Sequence, residues 1–437
     1  MYIFEIVFIL AVILYVLAGS KDRYLYVLVF FLPFNAFIKS YLDFVGMDSQ
    51  LFGFWKEILI LMFFVGSINN ILKYCRLKTI SFILAIYIVL YFALGCTQDV
   101  SSAFVKLRDS LFPILLLITV SSRQYSQKAI SNLLLICSVS ILITCIAGIL
   151  ELFGGYRPQI AIIKNAILGI DPTTGTIYYP AAWMIMGHNR MVGLLDSPNQ
   201  LGVLLAIYLI VTYFFNGFVN KKNRKKFIFV VDIFAAVCLV LTFSRTAFAL
   251  LVLTYILYML GNLGNGKNFK RVLLLIMGIA LVFGILFIFS QSLQEVVLGT
   301  ATGQEASSAD RQNNIMTGLE FAFKQPWGYG LGTTRSINGV VNVYFVESGM
   351  VNLMIEQGII GVILLTIYLY LIFKAIKKSR TDIKLKNFRL VLFSTYICAW
   401  VSINPMEFIY SYYLMIFVGI VLSYKFSYKK NETISRL

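Results

Sequence analysis

The chain has 437 residues, a formal net charge of +17, 59% hydrophobic residues and only 13% charged residues. Its mean hydropathy is +0.83, and a water-soluble fold cannot bury that much apolar surface in its core. The apolar residues also come in runs long enough for bilayer-spanning helices. Composition therefore excludes a soluble globular protein. It predicts an all-α, polytopic helical membrane protein, because helices satisfy their own backbone hydrogen bonds in lipid.

The apolar runs predict about thirteen membrane spans, in a range of about 12–14. No linker, low-complexity tract or repeat divides them, so residues 1–437 are expected to form a single integral membrane domain. The predicted spans lie near 2–18, 24–38, 57–72, 80–96, 110–120 (with a start as early as 104), 130–152, 198–216, 227–243, 246–262, 272–290, 350–373, 388–404 and 408–424.

Basic residues are divided unequally between the two sides that these spans define. Most of the 37 lysines and arginines lie on one side, in segments around Lys21, Lys73, Arg123, Lys221, Lys267, Lys374 and Lys425. The positive-inside rule makes that side cytoplasmic and predicts a multi-pass protein whose C-terminus lies inside and, with thirteen spans, whose N-terminus lies outside. The positive net charge is then explained by cytoplasmic loops that contact anionic lipid, and no nucleic-acid partner is expected.

Six arginines fall on the predicted outer side, where the topology rule gives no reason for a cation. Arginine presents a planar, permanently charged fork that matches phosphate oxygens better than lysine does. These residues therefore predict a phosphorylated substrate at the outer face. They are Arg108, Arg157, Arg190, Arg245, Arg311 and Arg335.

Two long loops on the same side, 153–197 and 291–348, interrupt the short turns and are expected to carry the site. In the first, apolar periodicity predicts a surface-lying helix within 158–169. In the second, a helix over 310–323 is predicted, with Asp310 as its N-cap and Arg311 in its first turn.

The first two motifs each contain an arginine. Arg190 precedes Ser197-Pro198-Asn199, which suits a helix start, and on composition alone Arg190 is interpreted as an interfacial anchor. Arg245 follows Ser244 between two spans with almost no loop. It faces either the headgroups or the bundle interior, and both interpretations stay open.

The third motif combines glycines and carboxylates. Pro326-Trp-Gly-Tyr-Gly330-Leu-Gly lacks the surrounding βαβ unit of a dinucleotide site, so its glycines predict a tight turn or close backbone approach. Glu347 starts a span, and Glu356 lies roughly 13 Å deeper along a helix. Glu356 is either functional or the structural partner of a buried cation such as Arg245.

Together these segments resemble the O-antigen polymerase and ligase superfamily. The resemblance covers roughly residues 108–361 and includes Arg311. In the ligase pattern, the span after the large loop opens with His-Asn or His-Ser, nine residues before a Glu. Here Glu347-Ser stands at that position, as in many polymerases of the Wzy type, and the only histidine, His188, lies elsewhere.

The resemblance implies an inverting, metal-independent glycosyl transfer without a cofactor at the outer face of the bacterial cytoplasmic membrane. This reaction would extend undecaprenyl-diphosphate-linked repeat units into O-antigen or capsular polysaccharide. Arg190, Arg245 and Arg311 would stabilise the departing diphosphate, and Glu347 would take the acceptor proton. Substrate binding would add Arg108, Asn199, Glu356 and Gly330. Arg157 and Arg335 have no motif around them and are expected to meet headgroups or sugar.

The donor and acceptor glycans and membrane lipid are the implied partners, together with a chain-length regulator and a flippase. Two alternatives stay open. A ligase would move the finished glycan to another acceptor. A lipid-linked oligosaccharide flippase or other transporter is disfavoured, because no duplicated halves are visible and the candidate residues cluster at one face.

Overall fold

The computed structural model describes most of the chain as helices joined by short connections. It describes residues 3–19, 22–47, 49, 52–171, 174–185, 188–261, 277, 306–334, 336–337, 340–341, 346–379, 383–403 and 410–423. The all-α class is confirmed for this part of the chain, where strands are limited to two-residue hairpins.

The first helices are α1 (Ile3–Leu17), α2 (Arg23–Phe31), α3 (Asn35–Phe44), α4 (Trp55–Val65), α5 (Ile68–Tyr74), α6 (Lys78–Gly95), α7 (Val100–Ser121), α8 (Gln127–Phe153) and α9 (Arg157–Ile163). They are followed by α10 (Pro198–Phe215), α11 (Lys222–Leu241), α12 (Arg245–Leu260), α13 (Ala306–Lys324), α14 (Gly349–Lys377), α15 (Ile383–Lys386), α16 (Arg389–Val401) and α17 (Tyr410–Leu422).

Short strands and 3₁₀ turns lie in the connections between helices. Three antiparallel hairpins pair β1 (Gly169–Ile170) with β2 (Ile177–Tyr178), β3 (Met184–Ile185) with β4 (His188–Asn189), and β5 (Ser336–Ile337) with β6 (Val340–Val341). Single 3₁₀ turns cover Leu32–Phe34, Phe52–Phe54, Ala181–Trp183 and Asn216–Phe218.

The predicted spans other than that near 272–290 fall on helical residues of the described part, but those near 24–38 and 57–72 are each divided between two helices, α2 with α3 and α4 with α5. The span near 272–290 falls almost wholly outside the described residues. Five helical segments of the described part are long and apolar enough to cross a membrane, and a sixth forms if α4 and α5, bent by 61°, are one broken span. Several further helices are apolar but shorter, so the total of about 12–14 spans stays a prediction. The helix at 110–120 is longer than predicted, since α7 starts at Val100.

The bundle core is built around α7 and α10. Helix α7 packs against α4, α6 and α17, and α10 packs against α11 and α12. The segment Pro198–Phe218 is 83% buried inside the protein, whereas Lys78–Gly95 is only 22% buried and presents most of its apolar surface outward, as a lipid-facing helix does. We call the end of the bundle where α8 and α11 end and α10 and α12 begin the loop end, which sequence analysis predicts to face outward.

Candidate functional site

Arg190 joins three chain segments at the loop end, and we call this contact set the Arg190 junction. The side chain is buried, with 7% exposed. Its Nε donates to the Thr242 carbonyl at 2.9 Å, its Nη1 to the Ala182 carbonyl at 3.1 Å, and its Nη2 to Asn199 Oδ1 at 2.6 Å. The guanidinium is thus directed into the protein, where it connects the first loop to α10 and to the α11–α12 turn. The interpretation of Arg190 as an interfacial anchor is therefore wrong.

The first two arginine motifs meet at this junction. A Cβ on Gly202 would lie 2.7 Å from Ser244 Cβ and 2.9 Å from Thr242 Oγ1, so only glycine lets α10 approach the turn this closely. The predicted helix start is confirmed, because α10 begins at Pro198.

The α11–α12 turn presents Arg245 as the first residue of α12. Phe243 has a φ of +49°, a strained conformation for a residue with a side chain. Ser244 is fully buried, while Arg245 is exposed. Of the two interpretations of Arg245, the structure therefore supports the surface position.

Arg157 corrects the expectation that it meets headgroups or sugar. It is 5% exposed, and its Nη1 lies 2.6 Å from Glu151 Oε1. The Arg157 guanidinium also lies 4.9 Å from the ring centre of Tyr179 and 5.4 Å from that of Trp183. Burial lowers the pKa of Arg157, and Glu151 opposes that shift. No sequence motif indicated this pair, although the two opposite charges lie on either side of the end of α8.

The surrounding loop contains a second partly buried cation. Lys164 follows α9, which is shorter than the helix predicted within 158–169. Its Nζ donates to the carbonyls of Gly193, at 2.7 Å, and Leu195. Burial lowers the pKa of Lys164 to about 8.

Glu347 stands two residues before the first residue of α14, next to the N-cap Ser348. The Asn352 side chain holds the preceding residue from both sides: it donates to the Val346 carbonyl at 2.6 Å and accepts from the Val346 amide at 3.0 Å. Ser348 caps the helix by accepting from the Val351 amide. The Glu347 side chain is exposed on this fixed backbone.

Helix α13 brings Arg311 to the same region. The Glu347 amide donates to Asn314 Oδ1 at 3.0 Å. A Cβ on Gly318 would lie 2.3 Å from Val346 Cγ2, so α13 packs closely against the start of α14. Residue 311 precedes Asn314 by one turn, on the same helix face.

The prediction for the start of this helix is wrong. Helix α13 begins at Ala306, so Asp310 lies inside it and is not its N-cap, and Arg311 is in its second turn. Apolar periodicity starts only at Ile315, which is why the sequence pattern missed the polar first turn. Arg335 lies outside the described residues.

The glycine loop, residues 326–332, packs against a break in α14. Helix α14 is interrupted at Gly358, whose φ is +69°. The Ile355 and Glu356 carbonyls accept from the amides of Tyr329, at 2.8 Å, and Gly330, at 2.9 Å. Loop backbone thereby satisfies acceptors that the broken helix leaves open.

Close backbone approach by the glycines is confirmed. Gly330 has a φ of +105°, and a Cβ on it would lie 2.5 Å from the Gly95 nitrogen. A Cβ on Gly332 would lie 2.4 Å from the Ser102 carbonyl carbon. The loop is therefore wedged between α14 and the connection from α6 to α7, and Gly330 contributes its backbone to this packing.

Glu356 pairs with Lys106 and not with Arg245, which corrects the partner suggested from sequence. It is 3% exposed, its Oε1 lies 3.8 Å from Lys106 Nζ, and it accepts from Thr334 Oγ1 at 2.6 Å. Lys106 comes from α7 and received no role from sequence reasoning. The pair lines a cavity of about 120 Å³ between α6, α7, α14 and α17, whose walls are mainly aliphatic.

Arg108 lies on α7 next to α4. Its Nε is 3.2 Å from Glu57 Oε1 and 3.5 Å from Asp109 Oδ1, and Glu57 also pairs with Lys56 at 3.0 Å. Arg108 is thus part of a mixed-charge cluster in which carboxylates balance the cations.

The structure brings predicted residues together in three places. Arg190 contacts Asn199 and the turn that leads to Arg245, and Glu347 contacts the helix that includes Arg311. The Gly330 amide donates to the Glu356 carbonyl. Helices α12 and α14 both pack against α16, whose last residues contact the start of α14. Sequence reasoning missed Glu151, Lys106, Asn314 and Asn352, which act on other residues of the protein.

These features define a multi-pass helical membrane protein with an exposed arginine and an exposed carboxylate at two helix starts. Residues 227–366 match the family model described as O-Antigen ligase. The match includes Arg245, Arg311, Gly330, Glu347 and Glu356, and it shows that this region is similar to the O-antigen ligase family. It supports an enzyme of the O-antigen polymerase or ligase type without distinguishing the two. No curated protein and no solved structure matches the chain.

Proposed function

We propose that this protein is a polymerase that joins lipid-linked oligosaccharide repeat units at the outer face of the bacterial cytoplasmic membrane. The observation that carries this proposal is Glu347: an exposed carboxylate, in the family-matched region, on a backbone held by Asn352 and Asn314. A general base must be both accessible to a hydroxyl and fixed in position.

In the proposed reaction, a sugar hydroxyl of one lipid-linked repeat unit attacks the anomeric carbon of another lipid-linked glycan. The new carbon–oxygen bond forms as the bond from the anomeric carbon to the diphosphate oxygen breaks, so the configuration inverts. The diphosphate departs with the bonding electrons, and Glu347 takes the proton of the attacking hydroxyl. The undecaprenyl diphosphate released is the second product.

The arginines have different roles in this proposal. Arg245 is exposed at the start of α12, where a guanidinium and helix amides both favour an anion. Arg311 is proposed as the second diphosphate ligand, from the helix that packs beside Glu347. Arg190 positions Arg245, because its own donors are directed to carbonyls and to Asn199. Arg108 keeps the proposed binding role with its charge partly balanced by Glu57.

The experiment is chain extension by the purified protein in liposomes, with a short undecaprenyl-diphosphate-linked repeat unit as sole substrate. A ladder of longer lipid-linked glycans is expected, and the proposal predicts that it forms in the presence of a chelator. Glu347→Gln should abolish the ladder, and Arg245→Ala should strongly reduce it. Glu320→Gln, which changes an exposed carboxylate on α13, is the matched control and should leave it intact.

A ligase is the second candidate, because the family match is described by that activity. It would transfer the glycan to a different acceptor and give no ladder from lipid-linked units alone. Glu347-Ser in place of His-Asn or His-Ser favours the polymerase. A chain-length regulator and a flippase are proposed as partners of the polymerase.

A further inference from the structure

The loop end contains a buried ion pair that the proposed chemistry does not use. Glu151, the residue two before the last of α8, is 1% exposed. Its Oε1 accepts from Arg157 Nη1 at 2.6 Å, and its Oε2 accepts from the amides of Val192 and Gly193 at 2.9 and 2.8 Å. One carboxylate thus holds both the start of α9 and the chain immediately after Arg190 through charge-assisted hydrogen bonds.

Arg157 extends the same contacts to the other side of Arg190. Its Nη1 donates to the Arg190 carbonyl at 3.0 Å, and its Nη2 donates to the Trp183 carbonyl at 2.9 Å. The Trp183 carbonyl also accepts from the Arg190 amide, at 2.9 Å. The buried side chains of Glu151 and Arg157 therefore hold the main chain of Arg190 and of the residues after it in position.

The contacts continue from Arg190 to the turn that presents Arg245. The Arg190 side chain donates to the Thr242 carbonyl at 2.9 Å, and the Met191 amide donates to the Leu241 carbonyl at 3.0 Å. A shift of Arg190 would therefore move the end of α11 and the strained Phe243, whose left-handed conformation persists only while its surroundings enforce it.

We infer that Glu151 and Arg157 are positioning residues, which fix the α11–α12 turn through Arg190 and thereby set the position of Arg245. The inference rests on the proposed function for its catalytic consequence, since Arg245 is there the diphosphate ligand. Its structural part is independent of that function. Neither residue touches the substrate in this account.

The structural part is tested by labelling residue 245 from outside. Arg245→Cys is made in a Cys96→Ser background, because Cys96 is partly exposed whereas the other five cysteines are buried. The rate of reaction with a membrane-impermeant maleimide is measured in membranes. Adding Glu151→Gln or Arg157→Lys should change this rate by more than about twofold, since each opens the turn locally.

Both substitutions are conservative. The Gln amide still accepts from Val192 and Gly193 but turns a donor toward Arg157, and Lys retains the charge of Arg157 without its fork. Tyr208→Phe is the matched control: it removes a buried 2.9 Å hydrogen bond between α10 and Ser138 of α8, away from the junction. Labelling rates that match the parent in both test variants would overturn the inference, as would an equal change in the control.

The catalytic part is tested by a double-mutant cycle on chain extension. Glu151→Gln should lower kcat/KM for the lipid-linked donor about tenfold when Arg245 is present and have little effect in the Arg245→Ala background. Independent, multiplicative losses would contradict positioning through Arg245. If labelling changes but no variant or parent extends the glycan, the proposed function fails and the positioning role stands.

Discussion

Replacing glycines at the glycine loop should separate two sources of destabilisation. At Gly330, alanine faces both a φ of +105° and a Cβ that would lie within 3 Å of three backbone atoms, Gly95 N and Cα and Leu94 C. Backbone cannot rotate away as a side chain can. A left-handed alanine costs about 1–3 kcal/mol, and overpacking adds about 1–3 kcal/mol, so Gly330→Ala should cost about 2–6 kcal/mol.

Two controls separate the conformational cost from the cost of overlap. Gly46 has a φ of +76° and nothing within 4 Å of a Cβ placed on it, so Gly46→Ala should incur only the conformational cost of about 1–3 kcal/mol. Gly95→Ala lies in α6 with ordinary helical geometry, but its Cβ would be 2.1 Å from the Leu331 carbonyl oxygen, so only the overlap applies.

The assay is the apparent melting temperature of the detergent-solubilised protein, followed by tryptophan fluorescence. Gly330→Ala should lower it more than Gly46→Ala does, and the double variant at residues 95 and 330 should lose less than the sum of the two single variants, because the two residues touch. A Gly330→Ala melting temperature equal to that of Gly46→Ala would refute the close approach of the loop to α6.

Three further predictions concern buried or fixed polar groups. Glu356→Gln should destabilise the protein by about 3–5 kcal/mol by weakening the balance of charge around Lys106, and adding Lys106→Met should recover most of the melting temperature; no recovery would contradict the pairing. Because the folded-state pKa of Lys164 is about 8, below its ordinary 10.5, the unfolded state binds more protons between these values. Stability relative to Lys164→Gln should therefore rise from pH 8 to pH 10. A melting temperature that falls relative to that variant over the same pH range would contradict this prediction. Asn352→Asp should reduce chain extension about 10- to 100-fold by turning an oxygen toward the Val346 carbonyl, whereas unchanged turnover would remove its positioning role.

Helix existence followed directly from the sequence, because uninterrupted apolar runs leave few alternatives in lipid. Helix ends were harder to predict, because α13 begins at Ala306 with residues that show no apolar period. The glycine motif correctly indicated close approach, but its partner, the break at Gly358, depends on contacts distant in the chain.

Side-chain partners were the least predictable part of the site. Arg157 and Arg245 are both predicted outer arginines, yet one is buried against Glu151 and the other is exposed. Their spacing from apolar runs does not distinguish them, because the burial of Arg157 depends on its contacts with Glu151 and with residues 183 and 190 of the first loop. Lys106 and Arg108 similarly lie two positions apart on α7 but contact different helices, α14 and α4.

The central claim, that this protein polymerises lipid-linked repeat units, is tested most directly by deleting its gene and sizing the cell-surface polysaccharide. Loss of a polymerase should leave single repeat units still attached to the surface acceptor, with long chains restored by the wild-type gene and not by Glu347→Gln. Complete absence of attached glycan would instead identify a ligase. An unchanged chain-length distribution would contradict both activities.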